Sequence, residues 1–176
     1  MLSSEVTPFA KTGGLADVAA ALSNELHRKG HEVLLCMPLY ARIEKADWDF
    51  DKVAALANFD VSAGKRTYNF SVFTVDLPDD GMPVHMFHCP DLFRRDDIYT
   101  SDEDEHLRFG IFTRAVIEAC QRLNFAPDVF HCNDWHTALL PLYLKGVYAW
   151  DQLFKESKTL LSIHNIGYQG VFRADT

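Results

Sequence analysis

Between His106 and Ile163 the hydrophobic period changes repeatedly, and this alternation restricts the fold more than any other feature of the chain. His106–Leu123 carries apolar side chains at 107, 109, 111, 112, 115, 116, 117, 119, 120 and 123, a broad face that predicts a largely buried helix. Asp128–Cys132 reads as a strand, Thr137–Val147 as a helix and Thr159–Ile163 as another strand. Helix, strand, helix, strand in succession implies a parallel sheet with right-handed crossovers. Ligands of such sheets collect beyond the carboxyl ends of the strands. Functional residues are therefore expected directly after each strand.

The first part of the chain fits the same plan. Residues 15–29 place apolar side chains at 15, 18, 19, 22 and 26, the spacing of a helix with one buried face. Lys29 falls in its last turn, and Gly30 suits the left-handed cap. His31–Met37 is a short apolar run stopped by Pro38 and reads as a buried strand. The middle differs. Asn58–Ser62 and Arg66–Leu77 flank a turn at Ala63-Gly64-Lys65, with alternation through Tyr68, Phe70 and Val72. A second turn signal, Asp79-Asp80-Gly81, precedes a strand at Pro83–Cys89, so antiparallel strands are expected beside the parallel ones. Asp91–Glu105 is strongly acidic and predicts a loop.

A length of 176 residues suits one domain, and 48% hydrophobic residues are enough for a core. The net charge of −8, from 17 basic and 25 acidic side chains, excludes a broad nucleic-acid surface. No apolar run reaches the roughly 18–20 residues of a membrane helix. Met1–Glu5 has neither the basic nor the apolar region of a signal peptide. Cys36, Cys89, Cys120 and Cys132 form no metal-ligand spacing and read as buried free thiols of a reducing, intracellular compartment. His85 and His88 stand three apart in a strand, face opposite sides and read as structural.

Candidate chemistry gathers in three stretches. Lys11-Thr12-Gly13-Gly14-Leu15 opens the first helix. Free N–H groups, the helix dipole and the Lys11 charge suit a diphosphate or sugar-nucleotide oxygens, and a plain turn into a helix is the alternative. This is neither G-x-G-x-x-G nor a Walker A. His131-Cys132-Asn133-Asp134-Trp135-His136 lies where a strand meets a helix. Asp134 suits an N-cap, a role that would explain it by itself, with a part in the chemistry as the alternative. His136 in a first helical turn suits a neutral imidazole touching a ligand, since cations are disfavoured there. His164-Asn165, after the strand ending at Ile163, offers donors and acceptors for sugar hydroxyls.

In this order the three stretches resemble the bacterial-type glycogen/starch synthases. Ser3-Ser4-Glu5-Val6-Thr7-Pro8-Phe9-Ala10-Lys11-Thr12-Gly13-Gly14-Leu15-Ala16-Asp17-Val18 is similar to that family's opening signature. Asn133-Asp134-Trp135-His136-Thr137-Ala138 and His164-Asn165-Ile166-Gly167-Tyr168-Gln169-Gly170 are similar to two later ones. The resemblance covers the chain from Leu2 onward. It implies an α/β chain, the Rossmann-like N-terminal domain of a GT-B glycosyltransferase. The sheet would be mainly parallel with an antiparallel insertion, and truncated. It implies transfer of glucose from ADP-glucose, with retention, to the non-reducing end of an α-1,4-glucan. No cofactor or metal is implied. Lys11, Thr12, Gly13, Gly14, Asp17 and Asn165 would bind the donor. His164 and Asp134 would be the catalytic pair, and Tyr99 and His136 would meet the acceptor glucan. Glu5 belongs to the signature without an assigned role.

The resemblance also implies a cytoplasmic location in a bacterium, or a plastid in a plant. Family chains are far longer, and their C-terminal nucleotide-binding domain has no counterpart here. Residues 1–176 are thus expected to be a partial, acceptor-side N-terminal domain, cut in its first strand and after Ala174-Asp175-Thr176, and inactive alone. Other readings are a sucrose-synthase-like or lipid-directed GT-B enzyme, a non-catalytic glucan-binding module and, more remotely, a dinucleotide-binding dehydrogenase. The full Lys-Thr-Gly-Gly-Leu string disfavours the first, and the missing G-x-G-x-x-G disfavours the last.

Overall fold

The computed structural model describes residues 1–78 and 81–173. The expected turn residues Asp79 and Asp80, and Ala174-Asp175-Thr176, lie outside the described residues. Helix α1 spans Gly14–Arg28 and buries Leu15, Ala16, Ala19 and Ser23. After it come β1 (Leu35–Pro38), a short helix α2 (Ala41–Glu44), β2 (Asp51–Lys52), β3 (Phe59–Ala63), β4 (Arg66–Asp76) and β5 (Pro83–His88). Helices α3 (Pro90–Phe93) and α4 (Glu105–Arg122) lead to β6 (Val129–Asn133). Helices α5 (Asp134–Thr137) and α6 (Leu140–Lys145) separate β6 from β7 (Lys158–Ser162).

The strands form a mixed parallel and antiparallel sheet joined through Leu2. Strand β5 pairs in parallel with β1, and β6 with β7. Leu2 makes parallel bridges to Cys36 of β1 and to Cys132 of β6. Its N–H donates to the His131 carbonyl (2.9 Å), and the Ser3 N–H donates to that of Cys36 (3.0 Å). This one-residue stub holds the two halves of the sheet together. The antiparallel insertion is β4, which pairs with β5 on one side and with β2 and β3 elsewhere. The expected alternation holds in β4: Tyr68, Phe70 and Val72 are buried.

Helix α4 packs across the sheet with Phe109, Phe112, Val116 and Ile117 fully buried, which explains its wide apolar face. The four cysteines are buried and unpaired. Burial pushes the Cys36 and Cys132 thiols up to about 12, so they stay protonated and inert. His85 and His88 diverge as a strand requires: His88 meets Glu44 at 3.1 Å, and burial takes His85 down to about 4.

Three local expectations change. The first strand is shorter than His31–Met37: only Leu35–Pro38 pairs, and Pro38 is its last residue rather than a stop before it. Proline fits there because a terminal strand position need not donate to a ladder. The helix expected over Thr137–Val147 is broken into α5 and α6. Pro141 lacks an N–H and sits in the first turn of α6, where none is needed. The acidic stretch Asp91–Glu105 is not all loop, since Pro90–Phe93 is helical and Glu105 starts α4. No helix among the described residues is long and apolar enough to cross a membrane.

Leu2 is 1% exposed at the junction of β1 and β6. Leu2→Ala should therefore cost about 2–5 kcal/mol, the range for buried leucine truncation. Urea unfolding of both proteins checks this, and a loss below about 1 kcal/mol would show that the stub is dispensable.

Candidate active site

The parallel strands end on one edge, and the loops leaving them surround a cleft of about 1200 Å³. Its walls include Glu5 after the Leu2 stub, Thr12 and Gly14 at the start of α1, and Tyr99 and Thr100 from the acidic stretch. Asp134, Trp135 and His136 after β6 and His164 and Asn165 after β7 complete them. The three stretches singled out in the sequence therefore meet in one place. Among the described residues no three or more His, Cys, Asp or Glu side chains gather as a metal site.

Glu5 organises the first wall. Its carboxylate accepts from the Thr12 hydroxyl (2.6 Å), the Tyr99 hydroxyl (2.6 Å) and the Gly13 N–H (3.3 Å), and also from the Thr12 N–H. The free donors expected to receive a diphosphate thus already hold an anion from the chain itself. A buried carboxylate at a helix start is favourable for the same reasons as a phosphate. Space remains beside this loop: a Cβ built on Gly13 or Gly14 meets nothing within 4 Å. Gly13 is extended at φ −150°, so neither crowding by the protein nor backbone strain requires glycine here.

Lys11 is turned to another partner. Its ammonium lies 2.7 Å from both oxygens of Asp17, each side chain half exposed, and neither residue is on the cleft wall. The Lys11 hydrogen bond, joined by one from Thr7, holds the Asp17 carboxyl below its usual range.

The second wall departs from the capping explanation of Asp134. The N-cap of α5 is Asn133. Asp134 is its first residue, at a left-handed φ of 54° that short acidic side chains tolerate at a cost. Its Oδ1 accepts the main-chain N–H of His164 (2.7 Å) and of Asn165 (3.4 Å). Asp134 therefore ties the ends of β6 and β7 together across the cleft floor. His136 is 8% exposed and packed between Tyr99 (centroids 4.8 Å), Trp135 (4.1 Å) and Phe109 (4.6 Å). Burial, with the Arg108 charge adding to it, takes His136 down to about 3. It is a neutral imidazole, as its place in a first helical turn implied. Its buried Nδ1 has no hydrogen-bond partner among the described residues.

Beyond Asn165 the loop closes over Trp135. Phe172 packs on Trp135 (5.1 Å) and on His106 (5.1 Å). Gly170 is obligatory here, because its φ is 65° and a Cβ would come within 2.7 Å of the Trp135 ring.

Sequence reasoning missed the brace behind Tyr99. Arg108 is fully buried, 2.5 Å from Glu105, and donates to the carbonyls of Leu92 (2.7 Å) and Ile98 (3.3 Å). Glu105 in turn accepts from the Thr100 hydroxyl (2.8 Å) and N–H (3.1 Å). The brace fixes the segment that presents Tyr99 to Glu5 and His136. A charged residue inside the apolar face of α4 was the available signal.

With this geometry in place, the comparisons with known proteins identify the class. Residues 1–176 match the family model "Starch synthase catalytic domain", and the chain belongs to that family. It is 39% identical over 180 residues to the glycogen synthase of Syntrophotalea carbinolica, covering 100% of this chain and 36% of that one. It is 40% identical over 178 residues to glycogen synthase 2 of Geobacter metallireducens, with coverage of 99% and 36%. The solved catalytic domain of starch synthase IV from Arabidopsis thaliana, bound to ADP and acarbose, superposes with a TM-score of 0.85 at 30% identity. That match covers 96% of this chain and 34% of the other. The chain thus spans about a third of the length of its relatives, and its fold is that of a GT-B starch synthase catalytic domain.

Two predictions follow from the site's electrostatics. Glu105→Ala strands the buried Arg108 charge and should cost about 3–5 kcal/mol, whereas adding Arg108→Leu should recover part of that loss. A double-mutant cycle by chemical denaturation measures the coupling, and additive losses would contradict it. The second concerns pH. His136 is depressed in the folded state relative to about 6.5 unfolded, so the unfolded chain binds the extra proton. Its contribution is complete above pH about 6.5 and is lost as pH falls toward 3, up to about 2 kcal/mol by pH 5. Unfolding midpoints compared at pH about 7.5 and 5 should fall less for His136→Gln than for the parent protein.

Proposed function

We propose that this chain is the acceptor-side, N-terminal part of an ADP-glucose-dependent glucan synthase. In full, such an enzyme transfers glucose, with retention, from ADP-glucose to the 4-hydroxyl at the non-reducing end of an α-1,4-glucan. The observation that carries the reading is the meeting of all three signature stretches around one cleft, at the carboxyl edge of the sheet, in a member of the starch synthase catalytic domain family.

The roles follow from chemistry and position. The anomeric carbon loses its bond to the diphosphate, which leaves with the bonding electrons, and gains a bond to the acceptor oxygen. Positive charge develops on the sugar ring, so neutral or negative groups belong near it. His164 and Asp134 take that place: His164 lines the cleft, and Asp134 sets the main chain of residues 164 and 165. Neutral His136 and the ring of Tyr99 form an uncharged wall suited to glucan hydroxyls and sugar faces.

Thr12, Gly13, Gly14, Lys11, Asp17 and Asn165 form the donor side. An incoming diphosphate would share the Thr12 and Gly13 donors with Glu5 or displace its carboxylate, and would draw Lys11 from Asp17. The remaining charge of a diphosphate on a chain of net charge −8 calls for cationic groups from a C-terminal nucleotide-binding domain beyond residues 1–176. Four buried thiols support a reducing compartment, and we place the enzyme in the bacterial cytoplasm.

The test pairs two proteins. The full-length enzyme containing residues 1–176 should elongate maltooligosaccharides with ADP-glucose, and purified 1–176 should not. Asp134→Ala in the full-length enzyme should lower kcat by at least about 100-fold, the scale of a misplaced reacting group. Titration calorimetry of 1–176 should show glucan binding without ADP-glucose binding. A full-length protein that binds glucan yet transfers nothing would favour a non-catalytic glucan-binding module.

A further inference from the structure

Asn133 stands behind the cleft wall, 1% exposed and not among the residues that line it. Its side-chain amide nitrogen donates to the Leu2 carbonyl at 2.8 Å, while its Oδ1 lies 2.9 Å from Nε2 of His164. The Leu2 carbonyl can only accept, which fixes which end of the amide faces it. The other end is then an acceptor, so the His164 nitrogen facing it must carry a proton. A neutral imidazole has one N–H, and Nδ1 is left as a bare lone pair.

The backbone of the same junction is held separately. The Asn133 N–H donates to the Thr137 hydroxyl at 2.7 Å, and Asp134 takes the His164 and Asn165 N–H groups. The other titratable ring in the junction, His131, is engaged with Ser162 at 2.8 Å. The Asn133 amide is thus the group that meets the His164 ring, and it is anchored to the strand stub joining the two halves of the sheet.

We propose that Asn133 is a positioning residue for His164. It locks the imidazole as the Nε2–H tautomer, so that Nδ1 serves as a hydrogen-bond acceptor for a sugar hydroxyl in the cleft. This rests on the reading of the cleft as a glucan synthase site. The proposal adds that His164 works as an acceptor, with its direction set by a buried amide tied to Leu2.

The test uses full-length protein labelled with 15N-histidine. At pH about 8.5, where histidine is neutral, long-range proton–nitrogen correlation should show His164 with protonated Nε2, bare Nδ1 and a slowly exchanging Nε2 proton. In Asn133→Ala that protected proton should vanish and both tautomers should appear. kcat should fall about tenfold, the value of one oriented hydrogen bond, with KM for glucan little changed. Asn133→Asp should raise the titration midpoint of His164 by at least about one unit, because a carboxylate then faces the ring. A protonated Nδ1 in the parent protein would overturn the proposal without any variant having to fold. A titration midpoint unmoved in Asn133→Asp would also overturn it and leave Asn133 a purely structural tie. The tautomer is read without substrate. A locked Nε2–H in a protein that elongates no glucan would therefore sink the functional reading and leave the positioning role standing.

Discussion

Everything at the cleft hangs on the pairing of one residue. Among the described residues Leu2 carries the bridges to both β1 and β6, and it pairs with both in parallel. Chain direction then does the rest. Since the Leu2 stub, β6 and β7 run the same way, the residues after them emerge on one edge. Glu5, Asp134 and His164 become neighbours although scores of positions separate them. Side chains reinforce the junction: Asn133 reaches back across 131 positions to the Leu2 carbonyl. A slip at Leu2 would thus be felt at His164 through a single intervening side chain.

The cleft's second constraint is electrostatic. A chain with excess acid has placed a buried carboxylate, Glu5, where a helix start and two hydroxyls converge. Its donors satisfy it, so its burial is tolerated. The arrangement holds the Lys11–Leu15 segment in shape without a ligand, and it makes Tyr99, on a segment braced by Arg108 and Glu105, part of the same network. Binding of a second anion there must work against Glu5. Binding of an uncharged sugar need not, which separates an anionic from a neutral ligand by the groups each must contend with.

The sequence pattern made much of this legible and left a definable remainder. Periodicity located α1, α4 and β4 to within a residue or so, because each buries one face, and the apolar run of β7 marked that strand although its side chains are largely exposed. It failed where local rules conflict. Pro141 divides an otherwise continuous apolar face, and the apolar residues before Leu35 pair with no strand. The motifs placed Asp134, His136 and His164 correctly at strand ends. Their partners were not readable, because those depend on distant contacts: Tyr99 to Glu5 spans 94 positions and Asp134 to His164 spans 30. Asp134 is the instructive case. An acid between a strand and a helix looks like a cap locally, and only the arrival of β7 beside β6 gives it two other N–H groups to serve.

The two histidines of the cleft show how burial and hydrogen bonding divide chemical labour. His136 is kept neutral by aromatic neighbours and the nearby Arg108 charge, with no carboxylate to call out its cationic form. His164 is oriented instead by an amide, a neutral partner that selects which nitrogen holds the proton without favouring a second proton. A carboxylate at position 133 would have oriented the ring as well, but would also have stabilised the imidazolium. In the proposed reaction a sugar ring acquires positive charge, and a cation beside it is then the group to avoid. On that proposal, asparagine rather than aspartate one position before Asp134 serves the same end as the burial that keeps His136 uncharged.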